Sequence, residues 1–322
     1  MKAAVYYENG APEVFRYETV PTPAPGDDEI LIEIAYVSIE GGDLISREFT
    51  PLPSVPHIVG YQCSGVVVDV GKSVTRFHPG DRVVTIMGSG SHAEFAVAPE
   101  RDTWHVPAGL SMSVAAAIPV SFGTAHECLF SFGGLQAGQT VLVHAAAGAL
   151  GLAAVQLAKS AGARVFATAS DDRKLARLSD FGVSLGINYR NDDFVAVVQK
   201  ETGGKGVDLV IDSIGGTHLA RSVASLKYRG KAIMVGVSGR DMSGLDLLSL
   251  WPNCTTVQGV YFPSSLPHEH ERAYAMVDTL LADAAARRFE VVIDSVFPLT
   301  AAALAHRHVL DRKAFGRVLL KP

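Results

Sequence analysis

The spacing of apolar and polar positions changes character along the chain. Glu29 to Ala35 alternates the two kinds residue by residue (EILIEIA), the pattern of a half-buried strand. Lys2 to Tyr6, Cys63 to Val70 and Ala93 to Ala98 read the same way, and the turn Gly80-Asp81 leads into a strand at Arg82-Val83-Val84. Pro21, Pro23, Pro25, Gly26 and Gly71 punctuate these runs. The first third is therefore predicted to be β-rich and barrel-like. Helical periodicity enters at Ser111 to Ile118 and Thr124 to Phe132. From Thr140 onward strands and helices alternate. Strands fall at Val141–His144, Arg164–Thr168, Gly186–Tyr189, Val207–Asp212, Ala232–Val235 and Thr256–Val260. Helices are predicted between the strands over Leu150–Ser160, Asp172–Asp180, Asp192–Glu201 and Thr217–Leu226. Six strands joined by crossovers predict an α/β fold with a doubly wound parallel sheet. The tail is mixed: helix at Glu269–Arg288, strand at Glu290–Phe297, helix at Ala301–Leu310, strand at Val318–Leu320.

A chain of 322 residues is too long for one core, which predicts two domains. If the tail completes the first domain, that domain is discontinuous, residues 1–119 with 262–322, and the parallel-sheet domain, residues 120–261, is inserted in it. A net charge of −5 and a pI near 6.1 argue against nucleic acid as a main partner, because a phosphate backbone needs a basic face. Cys63, Cys128 and Cys254 are far apart and have no zinc-ribbon spacing, which fits reduced thiols. No secretory pattern opens the chain and no apolar run is long enough to span a membrane, so a cytoplasmic protein is expected.

The strongest chemical signal is Ala145-Ala146-Ala147-Gly148-Ala149-Leu150-Gly151, between the strand ending at His144 and an apolar helix. That is the context of a dinucleotide fingerprint, with alanine where its first glycine belongs. Gly148 would let the backbone approach a pyrophosphate. Gly151 would let the helix pack on the strand, and the helix N-terminus, from Ala147 through Ala149 and Leu150, would offer free N–H groups. The second strand of the series ends Ala167-Thr168-Ala169-Ser170 without the acid that usually holds an NAD ribose. Asp171 and Asp172 follow and read equally well as caps of the next helix. Ser170, Lys174 and Tyr189 make a plausible clamp for a 2′-phosphate, so NADPH is favoured over NADH.

These residues are accompanied by others that resemble one family. Ser38-Ile39-Glu40-Gly41-Gly42-Asp43 is similar to an S-[VL]-N-P-x-D segment, and Pro56 to Gly71 to a first-domain glycine signature. Phe77 to Val83 is similar to F-x-x-G-D-R-V, His144 to Gly151 to H-A-A-A-G-G-V-G, Ile187 to Arg190 to I-N-Y-R, and Phe315 to Leu319 to x-G-K-V-V. Over nearly its whole length the chain resembles the zinc-independent quinone oxidoreductases of the medium-chain dehydrogenase/reductase superfamily, the zeta-crystallin group. The resemblance implies a GroES-like β-barrel catalytic domain, an inserted Rossmann domain, a cleft between them and a homodimer. It implies that Ser170, Lys174 and Tyr189 hold the NADPH 2′-phosphate and that Thr124 touches the nicotinamide. Ser213, Gly236, Val237, Ser238, Tyr261 and Phe262 would line the cofactor groove, and Arg317 would lie near it.

Zinc enzymes of that superfamily carry a cysteine where this chain has Glu40, and Gly-His-Glu where it has Gly60-Tyr61-Gln62. Tyrosine is a poor zinc ligand and the thiolates are missing, so no metal is expected. His268-Glu269-His270 reads as a solvated loop, and His306 and His308 as surface residues on different faces of a helix. Without zinc, the expected acceptors take hydride readily: a small quinone or an enone, oriented against the cofactor. Glu40 either lines the pocket and relays a proton or is a solvated acid paired with a neighbour such as Arg47. Tyr61 either donates a proton or packs on the acceptor, and Thr124 either serves the cofactor or caps a helix. Two other readings keep the fold: a reductase of 2-enoyl thioesters, and a crystallin-type protein that binds NADPH or RNA without turnover.

Overall fold

Strands from the two ends of the chain meet in one sheet. The computed structural model describes residues Met1 to Pro322. They divide into two units, Met1–Val120 with Ser265–Pro322, and Ser121–Ser264. The chain opens with β1 (Lys2–Val5), paired antiparallel with β2 (Arg16–Thr19). Next come β3 (Glu29–Ser38), α1 (Gly41–Phe49), β4 (Gln62–Val70), β5 (Arg82–Ile86), β6 (Phe95–Pro99) and β7 (Thr103–His105). The alternation in β3 is realised as burial, with Ile30, Ile32 and Ile34 all turned into the core. A short helix α2 (Met112–Ala116) follows, capped by the Ser111 hydroxyl, which accepts from the Val114 N–H.

Helix α3 (Pro119–His126) starts at the proline and runs into a π-helical turn over Glu127–Ser131. Proline suits a first helical turn, because its missing N–H would have had no partner there. Then β8 (Thr140–Val143), α4 (Ala149–Ser160), β9 (Arg164–Ala169), α5 (Asp172–Asp180), β10 (Leu185–Asn188), α6 (Phe194–Glu201), β11 (Val207–Asp212), α7 (Thr217–Ala224), β12 (Leu226–Met234) and β13 (Thr256–Gly259) alternate. All six strands are parallel, in the order β10-β9-β8-β11-β12-β13. That is the Rossmann arrangement, reversing direction between β8 and β11, where ligands of such sheets bind outside the carboxyl ends. α4 is apolar nearly all round because both of its faces are covered, and Leu152, Ala153, Ala154, Val155 and Ala158 are buried.

The tail adds α8 (Ser265–His268), α9 (His270–Ala285), β14 (Ile293–Pro298), α10 (Ala302–Leu310) and β15 (Arg317–Lys321) to the first unit. β15 pairs antiparallel with β3 through Leu319 with Ser38 and Leu320 with Val37, extending a seven-stranded sheet. The chain thus folds into a β-rich unit and a parallel-sheet unit, as its periodicity predicts.

Several local expectations are corrected. His306 is fully buried, its Nε2 3.0 Å from Nε2 of buried His92. His308 lies on a different face and meets Asp294 at 2.8 Å. The two histidines do diverge as helical geometry requires, but α10 packs on the barrel, so one divergent face is the core face. His268 and His270 lie in helices rather than in a loop, and His270 is hydrogen bonded to the Arg101 carbonyl.

Burial pushes His92 down to about 3 and His306 well below its ordinary value, so the pair is neutral and shares one hydrogen bond. The unfolded chain protonates both near about pH 6.5, whereas the folded chain resists to much lower pH. Their contribution to stability is therefore complete above about pH 6.5 and is lost as pH falls toward the folded value. The melting temperature should decline from about pH 6.5 to 5, and less steeply in a His92→Leu/His306→Leu variant. Equal slopes in the two proteins would mean that the pair takes up its protons without opening the fold.

Candidate functional site

In the Rossmann unit the turn after β8 is shaped by close contact. Ala145 takes a positive φ of 50°, and its carbonyl accepts from the Gly148 N–H at 3.0 Å. Gly148 is the N-cap of α4 and Gly151 lies in the first turn of that helix. A Cβ on Gly151 would stand 2.5 Å from the Ala146 Cα, which is backbone and cannot yield. Glycine is thus required there for the helix to approach the strand. The first N–H groups of α4, beginning at Ala149 and Leu150, have no carbonyl within the helix to bond and point out of its end.

Ser170, Lys174 and Tyr189 are brought to one edge of the sheet. Ser170 follows β9, Lys174 lies in the first turn of α5, and Tyr189 follows β10, its N–H bonded to the Ala169 carbonyl. The Asp171 carboxylate accepts from the Lys174 N–H at 2.9 Å and so caps α5, while Asp172 accepts from the Asn188 amide at 2.8 Å. Both acids are occupied by structure. Ser213, after β11, and Gly236 to Ser238, after β12, meet through the Ser238 N–H and the Ser213 carbonyl at 2.9 Å. Tyr261 is exposed. Phe262 is buried, its ring so close to Gly123 that a Cβ there would lie 2.9 Å from it. The Phe262 side chain is core. Thr124 is buried inside α3, which begins at Pro119, so it is not the cap of that helix.

In the barrel unit Glu40 is the N-cap of α1 and only 3% exposed. It is not a solvated acid, and its counter-charge is Arg317 from β15, at 2.7 Å; Arg47 pairs with Glu48. The other Glu40 oxygen accepts from Ser38 at 2.8 Å and from the Gln62 amide at 3.2 Å. The Gln62 amide also donates to the Ala116 carbonyl, and its oxygen accepts from the Val120 N–H at 2.6 Å. Arg317 donates as well to the Ile39 carbonyl. Asp43 accepts from the Glu40 N–H at 2.8 Å, yet burial, reinforced by the Glu40 charge, holds its carboxyl well above the usual range. Tyr61 lies over the start of α1, where a Cβ on Gly42 would come within 2.8 Å of its hydroxyl.

The donors at Glu40, Tyr61 and Gln62 do not fit the catalytic zinc of zinc alcohol dehydrogenases. The carboxylate is already matched by a guanidinium, the amide is engaged by backbone and by Glu40, and a phenol is a poor ligand. The partnership of Glu40 with Arg317 and Gln62 escaped sequence reasoning, because nothing in spacing links the two ends of a chain.

A GroES-like barrel joined in sequence to an inserted Rossmann unit defines a medium-chain dehydrogenase/reductase. Residues 26–108 match the alcohol dehydrogenase GroES-like domain family and residues 149–282 the zinc-binding dehydrogenase family. The chain is 33% identical to the human synaptic vesicle membrane protein VAT-1 homolog, over 93% of this chain and 80% of that one. It is 30% identical to the pig quinone oxidoreductase, over 99% and 97% of the two chains. Among solved structures it resembles Escherichia coli quinone oxidoreductase complexed with NADPH (TM-score 0.95, 28% identity) and a mycobacterial protein complexed with NADPH (0.94, 32%), each covered in full. The chain belongs to the zinc-independent quinone oxidoreductases of this superfamily and is an oxidoreductase.

Removing one partner of a buried ion pair leaves the other charge stranded, at a cost of about 3–5 kcal/mol. Glu40→Gln should lower the urea-unfolding free energy by about that much, and adding Arg317→Met should restore part of it. A neutral Glu40→Gln would show that the pair is solvated.

Proposed function

We propose that the protein is an NADPH-dependent reductase that passes hydride to a small quinone or activated enone. The observation that carries this reading is the placement of Ser170, Lys174 and Tyr189 at the ends of β9 and β10 and the start of α5, with Asp171 capping α5 and accepting from the Ser170 hydroxyl at 3.2 Å and Asp172 held by Asn188. A hydroxyl, an ammonium and a phenol on these neighbouring positions suit a 2′-phosphate. The α4 N-terminus and the turn Ala147-Gly148-Ala149-Leu150 would receive the pyrophosphate. Ser213, Gly236, Val237, Ser238 and the exposed Tyr261 would line the groove, with Thr124 toward the nicotinamide; for Phe262 only the backbone is free to take part. NADPH, when bound, supplies the hydride.

On the barrel unit, Tyr61 is the group we assign to packing on the acceptor. Glu40 fixes Arg317 and is a positioning residue. Its oxygens already accept from Ser38, Gln62 and Arg317, which leaves little capacity for a proton relay. We also infer a homodimer. β13 is the outer strand of the parallel sheet, and Met242, Leu247, Leu248 and Trp251, on the segment leading into it, are all more than two-thirds exposed or nearly so (79%, 73%, 67% and 77%). An open strand edge beside an apolar patch is a natural surface for a second copy.

NADPH and NADH oxidation with benzoquinone, phenanthrenequinone, an alkenal and crotonyl-CoA tests the activity. Quinone turnover with NADPH supports it, and turnover of crotonyl-CoA alone moves the protein to the enoyl-thioester reductases. Lys174→Ala should raise the NADPH KM by roughly tenfold to a hundredfold, since a hydrogen bond to a charged group is worth about 1.5–3 kcal/mol. The NADH KM should stay put; equal effects on both cofactors would remove Lys174 from the 2′-phosphate. In sedimentation, the native protein should run as a dimer and Leu248→Glu as a monomer.

A further inference from the structure

Beneath the dinucleotide turn lies a second cluster of donors that the reductase reading does not use. His144 directly follows β8 and Asp212 ends β11, and these strands are neighbours, with Val143 paired to Ile211. His218 and Ser222, four residues apart on α7, share one helix face directed at these strand ends. One ligand atom each from His144, Asp212 and His218 lies within 4.8 Å of the others. The His218 Nδ1 stands 3.1 Å from the Asp212 Oδ2, close to the separation of two ligands on one small cation. The Ser222 hydroxyl lies between the other two donors, 2.6 Å from Asp212 Oδ2 and 3.2 Å from His144 Nε2.

We propose that His144, Asp212 and His218 form a binding site for a divalent transition-metal ion such as zinc, distinct from the Glu40–Tyr61–Gln62 position. Two imidazoles and a carboxylate are a borderline-soft donor set that suits such an ion. Two of the three donors are already held from behind, as metal ligands usually are. The Asp212 Oδ1 accepts the N–H groups of Ile214 and Gly215 at 2.7 and 3.0 Å, which aims Oδ2 at the histidines. His144 Nδ1 lies 3.0 Å from the Thr168 hydroxyl, which can accept its proton and leave Nε2 as the ligand.

The ion would enter past His218, the one donor that reaches solvent, and would take the place of the Ser222 hydrogen bonds. Ser222 itself could supply a fourth oxygen.

The test is a Co(II) titration of the full-length, chelator-dialysed protein, followed in the visible spectrum, with Zn(II) added afterwards as competitor. One equivalent of Co(II) should give the intense d–d bands of a four-coordinate nitrogen and oxygen site, and Zn(II) should bleach them. His218→Ala, a partly exposed position, should abolish the bands with an unchanged far-ultraviolet circular dichroism spectrum. Thr168→Val should weaken binding by roughly tenfold to a hundredfold, the usual cost of losing a partner behind a metal ligand. Absence of the bands, or bands that persist in His218→Ala, would overturn the proposal. Neither outcome bears on NADPH oxidation, which is read separately.

Discussion

The barrel unit depends on one pair of opposite charges that is almost wholly shielded from water. Glu40 stands at the junction of β3 and α1, and Arg317 opens β15. Their contact at 2.7 Å joins the first and last parts of the chain in the same place where β15 pairs with β3. Neither charge is tolerable alone in that environment. Ser38 and Gln62 satisfy the other Glu40 oxygen, and the Ile39 carbonyl accepts from a second guanidinium nitrogen of Arg317. The same residues explain why a zinc ion has no place there.

The Rossmann unit is organised by a different constraint, the near-contact of α4 with the turn before it. Gly151 and the positive φ of Ala145 are two sides of that constraint, one removing a side chain and the other bending the backbone. Below the turn, the chain of hydrogen bonds from Thr168 through His144, Ser222 and Asp212 to His218 ties β8, β9, β11 and α7 together. The loops assigned to the cofactor thus rise from a polar foundation and not only from an apolar core.

The periodicity of the sequence was enough to find this second unit, since Val207–Asp212 and the helix Asp172–Asp180 are realised with the expected ends. It was enough because each element there packs on its neighbours in sequence and so carries its own pattern. The barrel is less legible. β2 and β7 are too short to show a period, and α1 begins with two glycines, which disfavour a helix until tertiary packing supplies the support. The dinucleotide turn was visible because its chemistry is local. The partner of Glu40 was not, because Arg317 lies at the far end of the chain, and the buried His92–His306 contact was hidden for the same reason. Thr124 was placed at a helix start because Phe122-Gly123 looks like a break, yet the glycine only makes room for the Phe262 ring.

The order in which the two units can form during synthesis follows from the return of β15 to β3. Everything the Rossmann sheet needs lies between Ser121 and Ser264, so it can close while the ribosome is still translating the tail. The barrel cannot. The end of β3 at Val37 and Ser38 waits unpaired, and Glu40 waits without a counter-ion, until β15 emerges. A nascent chain of this design therefore carries a finished nucleotide-binding body and an unfinished barrel together, and it is the unfinished part that the cell's chaperones have reason to meet.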